Sequence, residues 1–247
     1  MSNFSIDTFD VDKFDNILSR GLSSGLGDRG GSMCIEAAIC TVLDLPHGDD
    51  PKCVAESVRR FKIRLNDSNW SSPQARARGL RDLGLAQLGS LEVVGDAEFT
   101  QRVSEKLIRV LIPKLFRQVF PNDRECLAAA KECEDHASDA SAAWAARAAS
   151  AASDASAASA AWAAWAAGDA SAAWAAWAAG DASAAWAAGD ASAASAAWAA
   201  WAASAAWAAS AAWAAGDAYL LLGASIGLEV LRELKSPGCS LLGLPHD

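Results

Sequence analysis

Ser138-Asp-Ala-Ser-Ala-Ala-Trp-Ala-Ala-Arg147 begins a tract in which, up to Tyr219, every third residue is Ser, Trp or Gly, or once each Arg and Tyr. The two residues between these positions are Ala-Ala, or Asp-Ala after some of the Ser and Gly residues. Because alanine has the highest helix propensity and disfavours strands, the tract is predicted to be helical.

A three-residue step creates a packing problem for one unbroken helix. Each residue turns a helix by about 100°, so a marked position moves back by about 60° per triplet, and the tryptophans would spiral around every side. The Asp residues suggest a division into shorter helices, since Gly past a helix end followed by an Asp N-cap is a stop and start signal. The Asp residues of the tract directly follow Ser138, Ser153, Gly168, Gly180, Gly189 and Gly216. We therefore expect a stacked array of short helices, each with Trp on one face.

Composition limits the chemistry that the tract can perform. The chain has 247 residues and a net charge of −9, and the tract contains Asp but no His, Cys, Glu or Lys. An acidic tract is a poor ligand for phosphate backbones, so no nucleic-acid partner is expected, and no cofactor either. The longest charge-free run, 191–216, lacks Leu, Ile, Val and Phe. A membrane span is therefore not expected.

Two features indicate a cytoplasmic location. The N-terminal sequence, from Met1 to Asp15, has no basic segment followed by an apolar stretch, so no signal peptide is predicted. The six cysteines are then expected to be buried, reduced thiols.

Ordinary mixed composition on both sides of the tract predicts folded flanks. Residues 1–137 are expected to form a helical N-terminal domain, 138–217 the repeat array, and 218–247 a capping helix and tail that close the array. The expected helix starts in the first domain are Ser32, Asp50-Pro51, Ser72-Pro73 and Asp96. Pro113 is expected to kink the last of these helices and Pro121 to end it. The predicted fold class is all-α.

Cys34 is a weak candidate for catalysis. The segment Gly30-Gly-Ser-Met-Cys34 precedes a predicted helix, whose dipole would lower the pKa of a thiol in its first turn. The segment loosely resembles the nucleophile helix of papain-like peptidases, but no His here has the strand context of those enzymes. The alternative is a buried helix thiol. The Gly25-Leu-Gly-Asp-Arg-Gly30 motif follows no strand, so a flexible loop is expected rather than a dinucleotide site.

Metal and nucleic-acid sites have weaker signals. Cys126, Cys133 and His136 are weak metal candidates at i, i+7 and i+10 of a predicted helix, without an established ligand spacing. Cys34, Cys40, His47 and Cys53 also cluster in sequence. A local basic patch is predicted from Arg59, Arg60, Lys62, Arg64, Arg76, Arg78 and Arg81. A solvated helix face, or pairing with the acidic tract of a second copy, is preferred for it.

Two segments carry a family resemblance. Val110-Leu-Ile-Pro-Lys-Leu-Phe116 and Phe120-Pro-Asn-Asp-Arg-Glu-Cys126, leading into an Ala-rich tract, resemble bacterial immunity proteins with Ala-rich repeats. Cys34-Ile-Glu-Ala-Ala-Ile-Cys40 and Leu45-Pro-His-Gly-Asp-Asp-Pro51 resemble segments of other phage and bacterial proteins. This chain differs in having Trp for Tyr and a strict period of three. The resemblance implies a helical, non-enzymatic protein that acts by binding, and it transfers no residue roles.

The expected function is self-association into an oligomer or filament, or binding of another protein, without catalysis. Trp is enriched among interface anchors, so the tract tryptophans are the predicted contacts. They are Trp144, Trp162, Trp165, Trp174, Trp177, Trp186, Trp198, Trp201, Trp207 and Trp213. One alternative is an immunity-type protein that occludes a single partner, and the other is a Cys34 thiol enzyme with the repeat as an appendage. Expansion of the gene could also have produced the triplets without selection, and an unfolded tract or inward-facing tryptophans would weaken the binding hypothesis.

Overall fold

The computed structural model describes residues 5–138, 141, 144–145 and 212–243. Their secondary structure is helical, with no strand in these ranges, which confirms the all-α prediction for this part of the chain. The α-helices are α1 (Val11–Ser19), α2 (Ile35–Val42), α3 (Glu56–Asp67), α4 (Pro73–Ala86), α5 (Asp96–Lys106), α6 (Ile112–Val119), α7 (Arg124–His136) and α8 (Ala212–Glu233). A π-helical turn, Leu107–Leu111, joins α5 to α6, and short 3₁₀ turns are Ile6–Thr8, Ser90–Glu92 and Pro237–Leu241.

The chain divides into two compact units. The first unit combines residues 1–99 with residues 216–247, and the second consists of residues 100–215. The first unit is therefore built from two stretches that are far apart in sequence. Among the described helices, none combines the length and the apolar character needed to span a bilayer.

The start of α4 lies where the sequence predicts it. Ser72 is the N-cap and its side chain accepts a hydrogen bond from the Ala75 N–H at 3.0 Å, with Pro73 as the first helical residue. For α2 the predicted cap is wrong, since the N-cap is Cys34, two residues after Ser32. The Ser32 hydroxyl instead donates to the Gly21 carbonyl at 3.0 Å.

The predicted helix start at Asp50-Pro51 is wrong. The segment after it forms a turn, and α3 begins later, behind Ala55, which has no side-chain cap of its own. Residues distant in sequence satisfy the exposed N–H groups at this end. The Ala55 N–H donates to Ser90 Oγ at 2.9 Å, and the Ser57 N–H donates to Asp96 Oδ1 at 2.8 Å. Tertiary contacts therefore decide where α3 begins.

Pro113 is accommodated by a change of helix type. Proline lacks an N–H and its ring collides with the carbonyl four residues earlier, so an α-helix must distort just before it. Here the distortion is the π-helical turn that ends at Leu111, after which α6 continues. The helix ends at Val119, with Phe120 as its C-cap directly before Pro121, as predicted.

The core of the first unit lies around α4. This helix packs against α1, α2 and α3 and against the 3₁₀ turn Pro237–Leu241. Gly84 permits α1 and α2 to approach closely, because a β-carbon there would lie 2.7 Å from Ile35 Cδ1 and 3.2 Å from Phe14 Cζ. The largest fully buried apolar side chains in this unit include Phe14, Leu22, Ile35, Ile39, Leu80, Leu83, Leu85 and Leu88.

The C-terminal arm, residues 216–243, completes this core. Its helix is expected to close the repeat array, most of which lies outside the described residues, and the contacts of the described residues join this helix to α3 and α4. A β-carbon at Gly223 would lie 3.3 Å from Leu65 Cδ2, and one at Gly227 would overlap the Phe61 ring. Further on, Ser236 Oγ donates to the Ala86 carbonyl at 2.5 Å, and the Gly238 N–H donates to the Leu88 carbonyl at 2.9 Å.

In the second unit, α6 and the π-helical turn pack against α7. Phe116, Cys126 and Cys133 have no exposed surface in this contact. Arg117 forms a bidentate ion pair with Glu134, whose carboxyl pKa is lowered mainly by that hydrogen bonding.

Candidate functional site

The predicted contact residues lie mostly outside the described part of the chain. Trp144 has helical backbone and is half-buried, and Trp213 is one of the residues of α8. The other eight tract tryptophans fall on residues that the structure does not describe. Binding through these ten residues therefore stays a prediction.

The predicted helix break at Gly216-Asp217 is wrong. Helix α8 starts inside the tract and runs through both residues without interruption. The Asp217 carboxylate does not cap its own helix, and instead accepts hydrogen bonds from Ser71, one from the N–H at 2.9 Å and one from the hydroxyl. The last Asp of the tract thus binds the segment that leads into α4.

The Asp217 carboxylate lies at a favourable electrostatic position. Ser71 directly precedes the Ser72 N-cap of α4, and a helix N-terminus attracts negative charge. Arg76, in the first turns of α4, is buried, which lowers its pKa, and the charges of Asp67 and Asp217 oppose that shift. This segment of the first unit is therefore built to receive a carboxylate, and Asp217 occupies it.

At the start of the tract a break in the helix does occur. Helix α7 ends at His136, and Ala137 takes a left-handed conformation with φ 45°. Ser138 and Ser141 then cap each other: the Ser138 N–H donates to Ser141 Oγ at 2.9 Å, and the Ser141 N–H donates to Ser138 Oγ at 3.2 Å. Ser138 thus accepts the hydrogen bond of a helix cap, and the predicted cap Asp139 lies outside the described residues. The remaining predicted breaks lie outside the described residues.

A buried polar cluster lies between α2, α3 and α4. Lys62 Nζ is 3.1 Å from Glu36 Oε1, and neither side chain has any exposed surface. The two atoms are within ion-pair distance but lack hydrogen-bond geometry. Gln87 Nε2 donates to the other carboxylate oxygen of Glu36 at 2.9 Å. Burial raises the pKa of Glu36 and lowers that of Lys62, while their mutual attraction opposes both shifts.

The expected lowering of the Cys34 pKa is wrong. Cys34 is 5% exposed, and burial raises the pKa of its thiol to about 11, although the Ala37 N–H donates to Sγ at 3.4 Å. Burial therefore outweighs the helix terminus. Cys40, with a pKa raised to about 12, and Cys53 are buried thiols as well. A neutral, enclosed thiol is a poor nucleophile.

The predicted metal candidates do not converge. Cys126 and Cys133 face the core of the second unit with no exposed surface, whereas His136 is exposed and contacts Glu132 at 3.0 Å. Seven residues of helix separate the two thiols by roughly 10 Å along the axis, too far for one ion. Within the described ranges, no three metal-ligating side chains come together.

The basic patch predicted in α3 and α4 does not form as one surface. Lys62 has no exposed surface and Arg76 is 8% exposed. Arg81 pairs with Asp15, with N–O distances of 2.6 and 2.7 Å. These three of the seven predicted residues are therefore buried or paired within the first unit and do not contribute to one exposed basic surface.

The Gly25–Gly30 motif forms a loop before α2 that hydrogen bonds hold in place. The Gly25 N–H donates to Asp67 Oδ1 at 2.7 Å, and the Asp28 N–H donates to the Ser32 carbonyl at 3.1 Å. His47 Nε2 lies 3.2 Å from the Gly27 carbonyl. These hydrogen bonds hold the loop against Asp67 of α3 and against His47.

The sequence analysis did not predict the Glu36–Lys62 pair and assigned Lys62 to the basic patch, although a signal for the pair exists. Glu36 is the only charge in the apolar run Cys34–Val42, and Lys62 follows Val58 by four residues on one face of α3. A lone charge at a core position indicates a buried pair. The Asp217–Ser71 contact has no such signal, since it joins residues that are far apart.

Comparison with known proteins found no family model, no curated protein and no solved structure that matches this chain.

Proposed function

We propose that this is a non-catalytic structural or interaction protein that self-associates, or binds a protein partner, through the tract tryptophans. The observation that carries the proposal is the continuity of α8, which begins inside the tract and is seated in the core of the first unit. The end of the tract is therefore fixed to a folded body by helix, by glycine contacts and by the Asp217–Ser71 hydrogen bonds. A tract held in this way is suited to presenting its side chains to a partner.

The state of the cysteines supports the same proposal. All six are free thiols, five of them buried, as expected in a reducing compartment such as the cytoplasm. The raised pKa of Cys34 leaves its thiol protonated near neutral pH, which favours a binding role over the thiol-enzyme alternative.

The test is the native mass of the full-length chain by light scattering after size exclusion. We expect a mass several times 25.6 kDa that rises with concentration. Replacing Trp162, Trp165, Trp174 and Trp177 by Ala should return the chain to a monomer. The matched control replaces four Ser of the same triplet positions, Ser183, Ser192, Ser195 and Ser204, by Ala and should leave the mass unchanged.

Trp70 reports whether the first unit stays folded in these variants. It is 4% exposed, and its indole N–H donates to the Leu65 carbonyl at 2.8 Å. Six tract tryptophans remain in the Trp→Ala variant, so the probe is the NMR resonance of the Trp70 indole N–H, assigned with Trp70→Phe, which should keep its wild-type position. A wild-type chain that is monomeric at every concentration would overturn self-association.

A further inference from the structure

The carboxylate of Glu36 contacts an amine with one oxygen and an amide with the other. Lys62 Nζ lies 3.1 Å from Oε1, and Gln87 Nε2 donates to Oε2 at 2.9 Å. None of the three side chains has any exposed surface. A primary amine, a carboxamide and a proton carrier between them are the groups that a transamidation needs.

Three separate backbone elements hold these side chains in place. Glu36 lies in the first turn of α2, and Lys62 lies in α3. Gln87 is the C-cap of α4, where its N–H donates to the Leu83 carbonyl at 3.2 Å and its carbonyl accepts from the Ser90 N–H at 3.0 Å. Holding two reacting groups in one place raises their effective concentration by many orders of magnitude.

The reacting atoms are not engaged elsewhere in the described ranges. Lys62 Nζ and the side-chain carbonyl oxygen of Gln87, Oε1, have no hydrogen-bond partner there. The amine can therefore turn from the carboxylate towards the amide without breaking a hydrogen bond. The amide carbonyl is in turn free to accept the charge that attack on Cδ places on its oxygen.

Burial favours the neutral forms that a transamidation needs. It lowers the pKa of Lys62 and raises the pKa of Glu36, although the attraction between the two groups opposes both shifts. Transfer of one proton from Nζ to Glu36 Oε1 converts the ion pair into a free amine and a carboxylic acid. The amine is then a nucleophile, and the acid lies beside the Gln87 nitrogen that must leave.

We propose that Lys62 and Gln87 form an isopeptide bond, with Glu36 as the group that moves the protons. The Lys62 amine attacks Gln87 Cδ, so that a bond forms between Nζ and Cδ. Glu36 gives its proton to Nε2 and takes another from Nζ, the Cδ–Nε2 bond breaks, and ammonia leaves. The step consumes no oxidant, reductant or further reactant.

The bond joins α3 to the end of α4. It forms once in each chain and gives no turnover, so it is compatible with a non-catalytic protein and does not rest on the proposed function. Until the bond forms, Glu36 and Lys62 remain the ion pair described above.

Glu36 is a second candidate acyl donor, because Nζ lies against its carboxylate. Condensation of Lys62 with Glu36 would release water, and it would consume the proton carrier itself. In the reaction with Gln87, by contrast, the leaving nitrogen already donates to that carrier. Gln87 is therefore the favoured acyl donor.

Mass spectrometry of the full-length chain tests the bond. A chain synthesised in vitro and released into guanidinium chloride does not fold and should have the mass of its sequence. After dilution into native buffer, the mass should fall with time by one ammonia molecule. A refolded chain that keeps its full mass overturns the proposal. A loss of one water molecule assigns the bond to Glu36 and overturns it as well.

Digestion with trypsin locates the bond. Trypsin does not cut after an acylated lysine, so Lys62 stays within the peptide 61–64, which becomes linked to the peptide 82–102 that contains Gln87. Fragmentation of the linked pair identifies the two joined residues. Asparagine side chains can also lose ammonia, so a loss of ammonia without this linked pair overturns the proposal.

A matched pair of glutamine variants tests the acyl donor. Gln87→Met should keep the full mass after refolding, whereas Gln101→Met, which removes a half-buried amide from α5, should lose ammonia as the wild type does. The NMR resonance of the Trp70 indole N–H shows whether each variant is folded. Loss of ammonia from folded Gln87→Met at the wild-type rate overturns the proposal.

Glu36→Met tests the proton carrier. The substitution removes the carboxyl group without adding an amide, and it should slow the loss of ammonia by at least about a hundredfold, because general acid–base catalysis contributes that much. A linked peptide pair that forms in Glu36→Met as fast as in the wild type overturns the role of Glu36.

Discussion

At the scale of single residues, Glu36 and Lys62 form an ion pair in which neither side chain has any exposed surface. Both charges are removed from water, and their 3.1 Å separation, the Gln87 hydrogen bond and the charge of Arg59 compensate part of the lost hydration. A pair of this kind contributes little net stability relative to apolar residues of the same shape. Replacing only one of the two residues leaves the other buried without its counter-charge.

Lys62→Met should therefore destabilise the protein strongly. We expect the free energy of unfolding to fall by about 3–5 kcal/mol, because Glu36 would keep its burial and lose its counter-charge. The double variant Glu36→Gln/Lys62→Met should recover most of that loss, since a neutral amide still accepts from Gln87. Urea denaturation of the three proteins measures this. Equal stability of Lys62→Met and wild type would show that the pair contributes no interaction.

At the scale of helices, local signals predicted the all-α class and the start of α4 but not every boundary. Ser72-Pro73 succeeded because its cap is local, whereas α3 begins where Ser90 and Asp96 supply hydrogen-bond partners from elsewhere in the chain. Gly216-Asp217 has the sequence of a helix stop, yet α8 continues through it. Glycine within a helix costs only about 1 kcal/mol. Burial of the apolar residues that follow it in the arm stabilises the helix by more than that. The Glu36–Lys62 pair could be predicted from the sequence pattern, whereas the contact of the arm with α3 and α4 could not.

Two glycines of α8 should respond in opposite directions to the same substitution. Gly227→Ala should lower stability despite the better helix propensity of alanine, because its β-carbon meets the Phe61 ring. Gly216→Ala should raise stability by up to about 1 kcal/mol, since nothing lies within 4 Å of a β-carbon there. Thermal unfolding followed by circular dichroism compares the two. A loss of stability in Gly216→Ala would contradict a continuous α8.

At the scale of the whole molecule, the first unit joins distant parts of the chain into one core. Leu88 and Gly238 share a hydrogen bond, as do Ala86 and Ser236, so α4 and the arm cannot separate without exposing both. The sequence predicted a C-terminal helix but assigned it to the repeat array. Local patterns do not encode which surface a helix packs against.

Hydrogen exchange should show that α4 and the arm open together. Amides of 76–86 and 220–231 are expected to share one opening free energy, as members of one cooperative unit. Asp217→Ala removes the two Ser71 hydrogen bonds and should lower that free energy by about 1 kcal/mol for both segments. Mass spectrometry of exchanged peptides measures it. Faster exchange in the arm with unchanged protection of α4 would show that the two segments open separately.

The placement of the arm also sets the order in which a new chain is completed. During synthesis, α3 and α4 leave the ribosome long before the residues that cover Phe61, Leu65 and Leu83 have been translated. At elongation rates of about 5–20 residues per second, the delay is on the order of ten seconds. Throughout that time this apolar surface is uncovered and can contact other nascent chains on the same messenger RNA. Every added triplet of the tract lengthens the wait.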